Sequence, residues 1–259
     1  MALFTDSDVV TLDDLLQFEG ALVQVSSTHG IDVQAKIKLA TDEIGDKLML
    51  NLLRAGQSDP QWLSRVKIGL STVVVSPSLF RWLCFDSLAR VYAEAYNVQL
   101  NTRFQGKWNE YQQQSNAASE LFLTGGIGVV LNPLPKPAIP TVHTGIGAFQ
   151  LPSIFIQTSW VDRLGNESAP SSINGVILNG SASVQVSMTE TSTQTPIAAV
   201  GWNIYASPSQ QSLMLQNSSP IAIGSSWQMP NNGLITGAIP KNGQVPDVTV
   251  SCVRRWQRG

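Results

Sequence analysis

From Gly125 to Phe149 the sequence reads GGIGVVLNPLPKPAIPTVHTGIGAF, and no regular helix can run through it. Pro133, Pro135, Pro137 and Pro140 each lack a backbone N–H and fix φ, while Gly125, Gly126, Gly128, Gly145 and Gly147 add backbone freedom. The segment divides the 259 residues into two parts of ordinary domain size. Hydrophobic spacing also changes across it. Before it, apolar residues recur every three or four positions; after it, they alternate with polar ones.

Upstream, Thr11 with Asp14 three residues on predicts a helix N-cap. Leu12, Leu15, Leu16, Glu19, Leu22 and Val23 then fall on one stripe, and His29-Gly30 ends this first helix. Asp32 caps a second, carried by Ile37, Ala40, Ile44, Leu48 and Leu52 and ending near Ala55-Gly56. Asp59-Pro60 and Ser76-Pro77 are both cap-then-proline starts. The second of these opens PSLFRWLCFDSLARVYAEAYNVQL, rich enough in large apolar side chains to be a central, nearly buried helix. RFQGKWNEYQQQSNAASELFL predicts a further helix.

Downstream, SIFIQTSWV and SVQVSMT alternate, and GWNIYAS and LMLQN are short strands between Gly, Pro, Asn and Ser turns. Strands so spaced, with no helix between them, predict a β-sandwich of about 100 residues. The expected fold class is therefore a two-domain α plus β chain. An N-terminal bundle of about four helices spans 1–124, a Gly/Pro-rich linker or arm 125–148, a β-sandwich 149–251 and a basic tail 252–259.

Residues suited to catalysis are scarce. Of the two histidines, His29 sits where an imidazole caps helix carbonyls and His143 lies in the Gly/Pro arm, neither at metal-ligand spacing from a partner. Cys84, between Leu83 and Phe85, reads as a small buried hydrophobe rather than a nucleophile. GGIGVV has no strand before it and no helix after it, which denies it the dinucleotide-loop mechanism. Asp162, Asn166 and Glu167 suit either a calcium loop or a hairpin turn in which Gly165-Asn166 supplies positive φ. Asp13-Asp14 and Asp42-Glu43 read as first-turn and solvated helix-face acids. The expectation is a non-enzyme with no cofactor and no metal.

Charged residues make up 13% of the chain and the net charge is −2, so there is no overall pull towards nucleic acid or membrane. Residues 1–124 hold ten basic and fourteen acidic side chains, a balance of −4; the rest balances at +2. The start lacks the basic residues and apolar run of an export signal, and no apolar stretch approaches the roughly 18 residues of a membrane span. Cys84 and Cys252 lie far apart, which argues against a disulfide framework and for a reducing site of synthesis. Without an export route, the sequons at Asn166, Asn179 and Asn217 read as polar turns.

Two stretches have the chemistry of contact surfaces. The tail RRWQRG supplies Arg254, Arg255, Trp256 and Arg258, residue types enriched in binding hot spots, against the reading of a frayed basic terminus. In RFQGKWNEYQ, Arg103, Lys107 and Trp108 suit either nucleic acid or basic stems packed over a half-buried ring.

The helical half resembles the head–tail connector (adaptor) proteins of tailed bacteriophages over roughly residues 8–132. The likeness is carried by TLDDLLQFEGALVQVSSTHGIDVQAKIKLATDEIGDKL and SPSLFRWLCFDSLARVYAEAYNVQLNTRFQGKWNEYQ. Within them stand Gly30-Ile31-Asp32, Glu43-Ile44-Gly45, Trp82, Tyr92 and the run from Arg103 to Tyr111. The second half resembles an Ig or fibronectin type III-like module through WVDRLGNESAPSS and GWNIYASPS. These two strands occur in the reverse of the usual fibronectin order, so no strand names or ligand sites carry over.

The resemblance implies a virion protein of the neck, made in the host cytoplasm. Such proteins form a homo-oligomeric ring, commonly of about twelve copies, beneath the portal protein. They extend the channel through which packaged DNA passes without sequence-specific binding, dock neck or tail proteins, and touch no membrane. On this reading the arm 125–140, with Ile127, Leu131 and Leu134, or the tail grips the portal, and the first two helices meet neighbouring subunits. The alternatives are a tail or baseplate component, or an Ig-like glycan- or surface-binding module in which Trp160, Trp202 or Trp227 stacks on sugars.

Overall fold

The computed structural model describes residues 1–6, 9–58, 69–99, 102–150, 152–178, 182–189 and 195–252. It is a mixed chain of helices and antiparallel sheets, divided into two compact units. One unit comprises Ser7–Leu131 with Pro246–Gly259, the other Met1–Asp6 with Asn132–Val245. The division differs from the one expected, because each unit is completed by a segment from the far end of the chain.

In the helical unit, α1 (Leu12–Phe18) opens on the expected cap. Thr11 Oγ1 accepts the Asp14 N–H at 3.3 Å and Asp14 Oδ2 accepts the Thr11 N–H at 2.8 Å, a reciprocal capping box. The sequence pattern predicts one helix from here to His29. The chain breaks instead at Glu19, whose backbone is extended, and restarts as α2 (Leu22–His29). At the break the Glu19 side chain turns inward to accept the Tyr111 hydroxyl, and Gly20 follows it in the turn. Gly30, at φ +63°, closes α2 as expected.

Asp32 Oδ1 accepts the Ala35 N–H at 3.0 Å and starts α3 (Val33–Ser58), which continues beyond the stop expected at Gly56. Its stripe of Ile37, Ala40, Ile44, Leu48 and Leu52 is buried throughout. Asp59-Pro60 lies outside the described residues. A short 3-10 turn (Leu70–Thr72) precedes α4 (Pro77–Gln99), where Ser76 Oγ accepts the Leu79 N–H.

The expected central helix is α4, with Leu79, Trp82, Leu83, Cys84, Leu88, Val91, Tyr92 and Ala95 all buried. It packs on α5 (Thr102–Gly125), which buries Phe104, Tyr111, Ser115, Ala118 and Phe122 at helical spacing. Rings interlock across this contact: Trp82 with Phe122 at 6.1 Å, Tyr92 with Tyr111 at 5.6 Å and Tyr92 with Phe104 at 6.2 Å. Arg90 on α4 ties three helices together. It donates Nε to Asp86 at 2.7 Å and both guanidinium ends to Glu43 on α3, while Ser115 on α5 donates to Asp86.

The residues expected as a linker or arm contain paired strand. Strand β1 (Ile127–Val129) pairs antiparallel with β10 (Val248–Val250), setting Ile127 opposite Val250. On its other side Val74 N–H donates to Gly128 O, and Val130 N–H to Thr72 O, each at 2.9 Å. Ile127, Val129 and Val130 are fully buried. An apolar I-x-V-V run inside a Gly/Pro-rich segment supplies enough buried surface to fix the chain.

The sheet unit contains β2 (Thr141–Phe149), β3 (Ser153–Asp162), β4 (Asn174–Ile177), β5 (Ala182–Ser187), β6 (Ala199–Ser207), β7 (Met214–Leu215), β8 (Ile221–Ala222) and β9 (Trp227–Gln228). One sheet runs β2-β5-β9 and the other β4-β3-β6-β7, with β8 also on β6. Every pairing is antiparallel. β2 begins inside the segment read as linker, so the sheets start earlier than expected.

Residues of both sheets share one apolar cluster that includes Ile154, Ile156, Trp160, Val184, Val186, Trp202, Ile204 and Trp227. Trp160 stands opposite Trp202 in the β3–β6 register. Leu3 and Phe4, expected with the helices, are buried in this unit. Asp6 holds the segment there by accepting the Leu3 and Lys136 N–H groups, each at 2.8 Å.

Candidate assembly surfaces

Of the residues expected to grip a partner, Arg254, Arg255, Trp256 and Arg258 lie outside the described residues. Ile127 is buried in the β1–β10 pair and is not available as an interface side chain. Leu134 is equally buried, in the apolar cluster of the sheet unit, and its N–H donates to Gln244 Oε1 at 2.7 Å. Only Leu131 reaches the surface, with its N–H fixed by Asp247 Oδ2 at 2.8 Å. Within 125–140, Ile127 and Leu134 are thus core residues, while Leu131 and Ile139 are exposed.

The first helices do present apolar surface. Leu39, Leu50 and Leu53 of α3 are 44%, 47% and 46% exposed. Their spacings of eleven and three residues bring them onto one side of the helix, opposite the buried stripe, with exposed Asp42 and Asp46 between them. Val23 on α2 is also about half exposed. A mixed leucine and aspartate face of this kind suits contact with another folded surface better than a lipid or a polyanion.

The other expectations resolve in detail. Trp160, Trp202 and Trp227 are buried, which removes the rings proposed to stack on sugars. Lys107 pairs with Glu19 at 3.2 Å and lies over the Tyr111 ring, while Trp108 stacks on Tyr96 at 6.0 Å, so this basic and aromatic run is packed against its own helices. Asp162 closes the turn at Gly165, where φ is +79°, by accepting N–H groups from Leu164 and Asn166. Glu167 takes other partners, Tyr205 Oη at 2.5 Å, Ser159 Oγ at 3.2 Å and Lys241 Nζ at 3.2 Å. The turn reading holds. No group of three potential metal ligands exists among the described residues.

Burial raises the Cys84 thiol to about 12, so it stays protonated at neutral pH. His29 packs edge-on against Phe104 at 5.2 Å. No helix among the described residues is long and apolar enough to cross a membrane.

Glu19 is a feature whose role the sequence reading missed, although a carboxylate within an apolar stripe was its signal. Its Oε1 accepts the Ala21 N–H at 3.2 Å and its Oε2 the Tyr111 hydroxyl at 2.8 Å. Burial pushes the carboxyl up, but the hydrogen bonds from Tyr111, Ala21 and Lys107 together hold it below its ordinary value of 4.5. A depressed carboxyl stabilises the fold fully above its unfolded pKa, and that contribution is lost as pH falls through the folded value. Tyr111→Phe should therefore destabilise the protein by about 1.5–3 kcal/mol at pH 7, with the deficit shrinking below about pH 4. Urea unfolding of both proteins at the two pH values checks this.

No protein-family model matches the sequence, and no curated protein matches it.

Proposed function

We propose that this chain is a structural virion protein, a head–tail connector of the adaptor kind that assembles as a ring beneath the portal of a tailed phage. In this reading the helical unit is the ring-forming bundle. The sheet unit is an Ig-like sandwich, with its strand order rearranged, that decorates the neck or presents a docking surface to tail components. The observation that supports it most is the leucine and aspartate face of α3, on a helix whose other side is fully committed to its own core. A ring subunit needs such a patch, since one heterologous contact repeats until the rotation closes. The likeness of residues 8–132 to connector proteins supplies the kind of ring.

The acidic balance of residues 1–124 suits a channel wall that does not hold DNA by its phosphates. The buried tryptophans weigh against a glycan-binding module. Leu39→Ser, Leu50→Ser and Leu53→Ser together should leave the melting temperature within a few degrees of the parent, because the side chains are already half exposed. The same variant should fail to form rings with a portal-bearing head. Rings of normal copy number from this variant would remove α3 as the neighbour contact.

A further inference from the structure

We propose that β2 is a docking strand for β2 of a second copy of this chain, paired antiparallel about a two-fold axis at Thr144. Among the described residues β2 is bonded on one side only, to β5, and is the outermost strand of its sheet. Open edges are commonly blunted by proline, lysine or brevity. β2 is nine residues long, TVHTGIGAF, with no proline and no Asp, Glu, Lys or Arg. Its Ile146 is 98% exposed. The whole run 132–245 carries only Lys136, Asp162, Arg163, Glu167, Glu190 and Lys241 as charged residues, so little charge opposes association.

The direction of the backbone groups follows from the ladder. Met229 N–H donates to Val184 O at 2.9 Å, which turns the backbone of Val184 towards the β9 side of β5. The N–H and C=O of one residue in an antiparallel strand point the same way, and partners in a non-hydrogen-bonded pair point apart. Thr144 is the partner of Val184. Its N–H and C=O therefore face the open edge, and by the period of two so do those of Val142 and Ile146.

The side chains around Thr144 form a palindrome of the kind a two-fold pairing needs. Val142 falls opposite Ile146 of the second copy, Ile146 opposite its Val142, and Thr144 opposite Thr144. Each is a favourable cross-strand pair, and the outward groups of the three residues close about six hydrogen bonds. Asn174, at the start of β4, donates Nδ2 to Pro140 O at 2.9 Å, so the open edge of the other sheet begins beside that of β2. β4 is paired with β3 alone among the described strands and carries Ile177, 80% exposed. Contact through a shared flank is isologous and closes at two chains. The pairing does not rest on the connector reading and does not itself build a ring.

The test is sedimentation of the full chain over a range of concentrations. A monomer–dimer equilibrium is expected, and Thr144→Lys, which sets two like charges face to face at the axis, should weaken it about tenfold or more. Its circular dichroism should match the parent, and so should its melting temperature at concentrations where the parent is monomeric, since Thr144 is exposed. In a Cys252→Ser background, Thr144→Cys should give a disulfide-linked dimer on mild oxidation, whereas Ile197→Cys, on a side chain 99% exposed elsewhere, should not. A chain monomeric at every concentration, a dimer indifferent to Thr144→Lys, or equal cross-linking at both cysteines would overturn the proposal. A monomer whose capture of a different virion protein is blocked by Thr144→Lys would also overturn it, by showing that the edge takes a foreign strand.

Discussion

A chain ending at Val245 is expected to lose about 2–5 kcal/mol of stability in its helical unit, although every helix is retained. Removing β10 uncovers Ile127 and Val129, both fully buried against it and the 72–74 segment. It also deletes Asp247, whose N–H donates to Val129 O and whose carboxylate accepts the Leu131 N–H. The packing here is close enough that a Cβ on Gly128 would lie 2.7 Å from Pro246 Cγ. Val250→Asp, which places a charge at a position 5% exposed, should reproduce much of the loss without shortening the chain. Helical circular dichroism followed through a thermal melt reads both variants. A truncated chain melting with the parent would contradict the discontinuous helical unit.

The second large effect belongs to the core of the sheet unit. Trp202→Ala should cost about 3–5 kcal/mol, as a fully buried indole facing Trp160 across the β3–β6 pair is removed. Trp202→Phe should cost much less than the lost size suggests. The indole N–H of Trp202 is buried and has no hydrogen-bond partner among the described residues, and an unmet donor of this sort destabilises a fold by about 1–3 kcal/mol. Replacing it by a ring without the donor offsets part of the lost contact. Urea unfolding of the two variants separates the contributions, and equal losses would show that the N–H is satisfied in solution.

What the sequence disclosed was mostly local. Thr11 with Asp14, Gly30, Asp32 and Ser76 marked helix ends because a cap depends on residues within one turn. The buried stripe of α3 followed from its period, and the same period left Leu39, Leu50 and Leu53 out of phase, so the exposed face was legible too. The partners of Glu19 at the break were not, since Tyr111 and Lys107 lie far along the chain. Three-residue strands such as β1 and β10 carry almost no signal of their own. Their pairing is fixed by contacts such as Leu131 with Asp247, 116 residues apart. The joining of residues 1–6 to the sheet unit is of the same long-range kind. The open edge of β2 needed the ladder itself, because which backbone groups face outward is set by register with β5 and β9.

The most direct test of the connector reading is electron microscopy of the chain co-expressed with a tailed-phage portal protein. The connector reading predicts a ring of this chain stacked coaxially beneath the larger portal ring, with the helical unit forming the closed circle and no ring from the triple α3 variant. Copurification with a tail or baseplate protein in place of the portal would contradict it. So would a chain that stays monomeric or dimeric in the presence of assembled portals.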